Sequence, residues 1–172
     1  AVTNFTSFAP LGVVLVGMLG IGIAESSGFI GAALKKVVSV TPSKLIVPTV
    51  VFLGIMSNVA SDAGYVILIP LGAIIFMAYG RHPIAGMAAA FAGVSGGFSA
   101  NLLIGSFDAL LIPFTQAAAE TGDALMGTSF APNLQTTSNM FFLMASTFVI
   151  VIVGTIIIDK IVEPSMGKYD RS

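Results

Sequence analysis

Residues 57–64 read SNVASDAG, a polar segment between two long apolar runs. Asp62 is the only formal charge between Lys44 and Arg81. Clustered hydroxyl, amide and carboxylate oxygens suit a hard cation, and a carboxylate in apolar surroundings is costly unless a cation or donors compensate it. We therefore predict a substrate and ion site here, with Asp62 and Asn58 as metal ligands if the ion is sodium. The candidate residues in this segment are Ser57, Asn58, Ser61 and Asp62. The alternative is that Ser61 or Asp62 only caps the following helix.

A second break, GVSGGFSAN, occupies residues 93–101. Breaks at membrane depth free backbone N–H and C=O groups, and paired breaks are typical of transporter sites. The candidates here are Gly96, Gly97, Ser99 and Asn101. Asp108 is a further candidate, because it lies two helical turns beyond Asn101 and is predicted on the same face. The alternatives are structural hydrogen bonds for Asn58 and Asn101, and a buried partner or outward-facing group for Asp108.

Composition indicates an all-α integral membrane protein. Hydrophobic residues make up 56% of the 172 residues, charged residues 9%, and the mean hydropathy is +1.00. A soluble domain of this size carries about a quarter charged residues. The seven Lys and Arg are scattered, so no nucleic-acid partner is predicted. The absence of Cys excludes disulfides and thiolate metal sites, and His82 alone builds no His-rich site.

Positive charges flanking the apolar blocks predict the topology of one membrane domain, 1–172. Lys44, Arg81 and Lys160 are assigned to the cytoplasm, because basic residues favour that side. The 119–138 connection, with only Glu120 and Asp123 charged, is assigned to the outside. The predicted elements are a transmembrane helix at 5–34, a re-entrant hairpin at 45–80, a broken transmembrane helix at 83–118, an outside loop at 119–138 and a transmembrane helix at 139–160.

The hairpin prediction depends on the short first arm. Residues 45–56 give about 18 Å of helix at ~1.5 Å per residue, against a hydrocarbon core of ~30 Å. Two short spans joined by an outside turn would also begin and end on the cytoplasmic side, and they remain the alternative. Small residues recur every fourth position in the next block, a ladder that predicts close helix packing. These residues are Ala85, Ala89, Gly93 and Gly97.

Two long segments carry a family resemblance. SNVASDAGYVILIPLGA and RHPIAGMAAAFAGVSGGFSANLLIGSFDALL closely resemble the first half of the aminobenzoyl-glutamate transporter (AbgT) family, and FAPLGVVLVGMLGIGIAESSGFIGAAL fits the preceding stretch. By motif match, Ser57, Asn58, Ser61 and Asp62 correspond to the family's first hairpin tip. Gly96, Gly97, Ser99 and Asn101 correspond to its first broken helix. Family members are considerably longer, so the chain is expected to be a fragment that lacks the second hairpin and second broken helix.

The resemblance implies a secondary transporter of two inverted halves, homodimeric, in the bacterial inner membrane. It implies ion-coupled transport of a small organic anion, with p-aminobenzoyl-glutamate as the expected substrate. Efflux of sulfonamide antimetabolites is ascribed to some members. The expected coupling cation is sodium or a proton, with no other cofactor. The alternatives are a truncated, non-transporting membrane fragment or scaffold and, remotely, an intramembrane enzyme. The enzyme would need a base beside Ser57 or Asp62, and the sequence shows none.

Overall fold

A computed structural model of the protein describes residues 40–60 and 63–167 without a gap. It also describes Tyr169 and positions 15, 19, 20, 22–24, 26–29, 32, 33 and 36. Throughout these residues the chain forms helices and turns and no β-strand, which confirms the all-α fold class. The predicted helix at 5–34 lies largely outside the described residues.

A helical hairpin follows a short 3₁₀ turn, Ser43–Leu45. Its arms are α1 (Ile46–Ser57) and α2 (Ala63–Ala78), and the 3₁₀ turn Asn58–Ala60 begins the tip. The Tyr79 hydroxyl donates to the Thr41 carbonyl over 2.8 Å and ties the two ends of the hairpin together. Two helices whose outer ends meet thus lie within the predicted 45–80 element, and the re-entrant hairpin stays a prediction.

The broken helix consists of α3 (Pro83–Gly96), a 3₁₀ turn (Gly97–Ser99), an irregular stretch and α4 (Ser106–Met126). Helix α4 continues eight residues into the region predicted as the 119–138 loop, so that boundary was wrong. Its second half, AAAETGDALM, contains mostly good helix formers. The helix ends where Gly127 adopts a left-handed φ of 66°, a conformation that glycine takes without steric cost.

The last helix, Met140–Ser165, contains 26 residues and begins close to the start predicted for the 139–160 helix. It consists of α5 (Met140–Ile157), a π-helical turn (Ile158–Val162) and α6 (Glu163–Ser165). Of the helices in the described residues, it alone is long and apolar enough to cross a membrane. The hairpin arms and α3 are shorter apolar helices.

Helix α3 packs against both arms of the hairpin, and the arms contact each other much less. One face of α3 meets α1 at Gly93 and Gly54, where a Cβ added to Gly54 would lie 2.8 Å from the Gly93 Cα. Another face meets α2, where a Cβ on Gly72 would lie 2.5 Å from the Gly86 carbonyl oxygen. The four members of the predicted small-residue ladder are all buried, which confirms its packing role.

The apolar core centres on α1. Helix α5 covers a further side of α1, with Gly154 close to Val51. Since α1 has neighbours on several sides, most of its residues are buried, as expected for a helix that is apolar all round. The buried residues of α1 are Ile46, Val47, Val50, Val51, Leu53, Gly54 and Ile55.

The segment after α4 is folded around Asp123. Its carboxylate accepts hydrogen bonds from the Thr128 hydroxyl at 2.5 Å and from the Phe130 and Ala131 amides at 2.8 Å. These bonds, the Thr128 bond first, hold the pKa of Asp123 below its ordinary value. The Gln116 side chain also donates to the Leu134 carbonyl at 2.7 Å. The segment is therefore an ordered cap on α4.

The glycine contact between α1 and α3 predicts a position-specific cost. Gly54→Ala would push a methyl group against backbone atoms of Gly93 and Val94, which cannot move aside as a side chain can. We expect destabilisation of about 1–3 kcal/mol, typical of overpacking. Gly122→Ala is the matched control, since nothing lies within 4 Å of the added Cβ, and it should be neutral or stabilising. Thermal unfolding in detergent compares the two variants, and equal melting temperatures would contradict the packing.

The Asp123 contacts predict an acid-sensitive segment. Because the folded pKa is lowered, the stabilisation is complete above the unfolded pKa and is lost as the pH falls through the lower folded value. The protection of the amides of residues 127–134 against hydrogen exchange, relative to their intrinsic rates at the same pH, should fall in that acidic range. In Asp123→Asn exchange should be fast at neutral pH too, whereas Glu120→Gln, an exposed control on the same helix, should behave as the wild type. Slow exchange in Asp123→Asn would disprove this role.

Candidate functional site

The hairpin tip lies directly against the end of α3. Asn58 is 4% exposed, and its side-chain amide donates to the Val94 carbonyl of α3 at 3.0 Å. The same amide donates within α1 to the carbonyls of Ile55 at 3.2 Å and Gly54 at 3.4 Å. The Val94 carbonyl is one of those that a helix end leaves without an intrahelical partner. The first arm therefore caps the broken helix through one side chain.

The other end of the Asn58 amide has no donor among the residues that the structure describes. Its Oδ1 atom is buried, and none of those residues donates a hydrogen bond to it. Three surrounding carbonyls fix this orientation, because a carbonyl can only accept and must therefore face the nitrogen. A buried acceptor left without a donor costs about 1–3 kcal/mol. This oxygen is available to a donor or a cation that reaches the tip.

Ser57 lies beside Asn58 and is half-buried. Its hydroxyl donates to the Gly54 carbonyl at 2.6 Å, so its oxygen lone pairs remain available to accept. Gly64, at the start of α2, packs so closely that an added Cβ would overlap the Ser57 hydroxyl. The other two tip candidates, Ser61 and Asp62, lie outside the described residues.

The two glycine candidates form the junction at the end of α3. Gly97 is buried, and a Cβ there would lie 2.7 Å from the Ile55 Cα, so its lack of a side chain lets the break touch the first arm. Gly96 faces α5, where an added Cβ would lie 3.6 Å from Ile150, near the middle of that helix. The structure thus brings Asn58 to the end of α3, with Gly97 packed on the first arm and Gly96 beside the last helix.

The candidates beyond the 3₁₀ turn diverge from this group. Ser99 is exposed. Asn101 is 4% exposed, and its side-chain Oδ1 accepts from the Leu103 backbone amide at 3.2 Å. The backbone N–H of Asn101 donates to the Leu143 carbonyl of α5 at 3.3 Å. Asn101 therefore builds a local turn and joins the break to the last helix. Its side-chain oxygen, unlike that of Asn58, already has a donor.

Asp108 belongs to the first turn of α4, where its carboxylate accepts from the Gly105 amide at 3.3 Å. The prediction that Asn101 and Asp108 share a helical face is wrong, because α4 begins only at Ser106 and residues 100–105 are not helical. This contact corresponds to the hydrogen-bonding alternative for Asp108, with the carboxylate at a helix start where the dipole favours it.

Two contacts at the site were missed from the sequence. The Val94 carbonyl receives Asn58, and the Tyr65 hydroxyl donates to the Ser95 hydroxyl at 3.2 Å, joining α2 to the end of α3. Tyr65 directly follows the SNVASDAG segment and Ser95 lies inside GVSGG, so their proximity to the two polar breaks was the available signal. Within the described part of the chain, no group of three or more His, Cys, Asp or Glu could hold a metal ion.

A separate cleft of about 570 Å³ lies between α4 and the capping segment. It is lined by Gln116, Glu120, Asp123, Thr128, Ser129, Ala131 and Pro132. The cleft is wide open, and the Asp123 carboxylate in it is already occupied by three donors. We assign the candidate site to the tip and the break.

Comparison with known proteins shows similarity to transporters. The chain is 42% identical over 168 residues to the p-aminobenzoyl-glutamate transport protein of Escherichia coli (strain K12). The alignment covers 98% of this chain and 32% of that protein. The YdaH transporter of Alcanivorax borkumensis, whose crystal structure is described as having an unusual topology, superposes with a TM-score of 0.84 at 45% identity. That alignment covers 99% of this chain and 36% of YdaH.

Neisseria gonorrhoeae MtrF, described as illuminating a class of antimetabolite efflux pumps, has a TM-score of 0.81 at 53% identity, over 99% of this chain and 32% of MtrF. The chain thus spans about a third of the length of these relatives. The profile of the AbgT putative transporter family matches residues 1–172, the whole sequence. The chain belongs to the AbgT putative transporter family.

Proposed function

We propose that the chain supplies part of the site of an ion-coupled secondary transporter for a small organic anion. The site is formed by the hairpin tip, 57–62, and the helix break, 96–101. The observation that carries the proposal is the buried Asn58 oxygen, which has no donor in the described part of the chain and lies beside the Ser57 hydroxyl and the end of α3. A stable fold rarely leaves such an atom unsatisfied, and a transported ligand is the partner that would satisfy it.

The proposed coupling ion is a cation. Asn58 Oδ1, the Ser57 hydroxyl and the Asp62 carboxylate would give an all-oxygen ligand set with one negative charge, which suits sodium. The carbonyl ends of α1 and α3 meet at the same place and add the negative ends of two helix dipoles. A proton carried by Asp62 is the other candidate. In either case the cation would compensate the carboxylate at membrane depth.

The proposed substrate is a small organic anion, with p-aminobenzoyl-glutamate first, because the E. coli relative is named for its transport. Efflux of antimetabolites is the second candidate, from the description of MtrF. Anions are favoured at helix N-termini, and α2 begins directly after the tip. We place the protein in the bacterial inner membrane as a homodimer, with the remaining two thirds of the polypeptide completing the site.

The proposed orientation predicts a labelling pattern. In the complete transporter, cysteines replacing Lys44 and Lys160 should react with a membrane-impermeant maleimide only from the cytoplasmic side. A cysteine replacing Leu125, which is 83% exposed near the end of α4, should react from the outside. The present sequence contains no Cys, so it contributes no background. Labelling of Lys44→Cys and Leu125→Cys from the same side would overturn the topology.

The site itself predicts the behaviour of two substitutions in the complete transporter. Asp62→Asn should abolish coupled transport while expression and dimerisation are retained, because Asn keeps much of the N-cap function and loses the charge. Asn58→Ala should raise the sodium concentration for half-maximal transport by at least about tenfold. Asn133→Ala, in the capping segment, is the control and should leave transport unchanged.

The measurement is substrate uptake into proteoliposomes at varied sodium and pH, with thermal shifts for binding. A sodium-dependent stabilisation that is lost in Asp62→Asn indicates sodium coupling. A shifted pH optimum without sodium dependence indicates a proton. Near wild-type transport by Asp62→Asn, with unchanged ion dependence, would show that Asp62 is only a cap.

A further inference from the structure

Three charged side chains meet at the base of the hairpin, at the opposite end of α3 from the site. Arg81, in the turn between α2 and α3, donates from Nε to Glu163 Oε1 at 2.9 Å and from Nη2 to Asp159 Oδ1 at 2.6 Å. Nη2 also pairs with the second oxygen of Glu163. Asp159 and Glu163 lie four residues apart on the last helix and therefore face the same side.

The Arg81 side chain is only 22% exposed and lies over the Phe76 ring, 4.8 Å from its centroid. The hydrogen bond to Glu163, opposed by burial, raises the pKa of the guanidinium above its usual value. Two-pronged arginine–carboxylate pairs have a defined geometry as well as a favourable energy, so they fix orientation. The turn and the last helix are therefore held in one relative position.

Glu163 also lies beside the start of α3. Its carboxylate is close to the backbone N–H of His82, the N-cap residue of α3. No side chain of α3 caps this helix start, and the helix dipole favours a negative charge there. The His82 ring also contacts the Tyr169 ring edge to face, with centroids 5.8 Å apart. Together with the Tyr79–Thr41 bond, these contacts join both ends of the hairpin, α3 and the last helix.

The tip and the base of the hairpin are held by different chemistry. At the tip, α3 is joined to the hairpin by the neutral hydrogen bonds from Asn58 and Tyr65. At the base, ionised groups join the turn between α2 and α3 to the last helix, in a chain where charged residues are only 9% of the total. Hydrogen bonds between ionised groups are roughly twice as strong as neutral ones. The contacts at the base are therefore the stronger ones.

We propose that Arg81, Asp159 and Glu163 form a fixed clamp that keeps the hairpin base, α3 and the last helix together throughout the transport cycle. These elements then move as one unit, and the base of the hairpin never opens. Glu163 is a positioning residue in this arrangement. It fixes the start of α3, and the rigid helix then fixes the position of the break at its other end. The inference rests on the proposed transport function in the cross-linking test, which measures transport. The charge-exchange test, which measures melting temperature, does not depend on it.

A cross-link across the clamp tests the absence of motion. In a cysteine-free version of the complete transporter, His82→Cys and Tyr169→Cys are bridged with a short bismaleimide, which leaves all three clamp residues in place. The double variant should transport before the reagent is added and should keep at least about half of its rate once the bridge has formed. Transport that is lost on bridging, and not on reaction of either single cysteine, would overturn the clamp.

Charge exchange tests the clamp without a transport assay. Arg81→Glu and Glu163→Arg should each lower the melting temperature of the purified transporter, and the double exchange should recover at least about half of the loss, as coupled residues do. Asp159→Asn is the matched control: it leaves the two-pronged pair intact and should lose less than either reversal. A double exchange no more stable than the single variants would overturn the clamp. This outcome is separable from a failure of the proposed function, which appears as absent uptake by a wild-type protein of normal stability.

Discussion

The close approach of α1 and α3 at Gly54 and Gly93 is the contact on which the rest of the structure depends. Without side chains at these positions the two backbones pack directly, and the Val94 carbonyl comes within reach of Asn58. Gly97 repeats the arrangement one turn further, against Ile55. In a membrane, apolar surface is already away from water, so the hydrophobic effect does not drive helices together. Packing of small residues and interhelical hydrogen bonds hold them together instead. A single added methyl group would therefore separate the tip from the break as well as the two helices.

The tip and the break each satisfy part of the other's backbone. Helix α3 ends with a carbonyl that needs a donor, and Asn58 supplies it from the neighbouring arm. This use of the amide nitrogen leaves the amide oxygen buried, with no partner in the residues that the structure describes. The Asn58 side chain thus joins the two helices through its nitrogen, and its oxygen is the acceptor on which the proposed site is built. Irregular backbone inside a membrane is tolerated only where protein or a watery cavity surrounds it, so the contact between the tip and the break favours both.

Several features could be predicted from the sequence because they depend on local patterns. The hairpin and the broken helix follow from polar and glycine-rich segments inside apolar runs, and the ladder ending at Gly97 follows from its spacing. Other features depend on which distant residues meet. The pairing of Arg81 with Glu163 joins positions far apart in the chain, and no local pattern indicates it. Asp108 was misplaced because helical spacing was extended through residues 100–105, where the chain is not helical.

For the candidate site, the residue types were predictable and the division of roles among them was not. Asn58 and Asn101 are equally buried, and each follows a helical segment. Only the geometry shows that Asn101 uses its oxygen in a local turn while Asn58 leaves its oxygen unpaired. That difference arises from the position of the Val94 carbonyl, which depends on the packing of two helices. Sequence patterns identify polar atoms at membrane depth, and tertiary packing decides which of them are satisfied.

The π-helical turn at Ile158–Val162 determines which side chains of the last helix face inward beyond it. Such a turn holds one residue more than an α-helical turn, and the helix resumes its regular course on either side of it. Up to Ile158 the inward side chains follow α-helical spacing, and beyond it Val162 and Met166 continue the stripe while Ile161 is 62% exposed. The turn therefore accommodates one extra residue while Glu163 still contacts Arg81. Loss of one residue within this turn should be tolerated better than loss of one residue in α5, which would rotate every later side chain by about 100°.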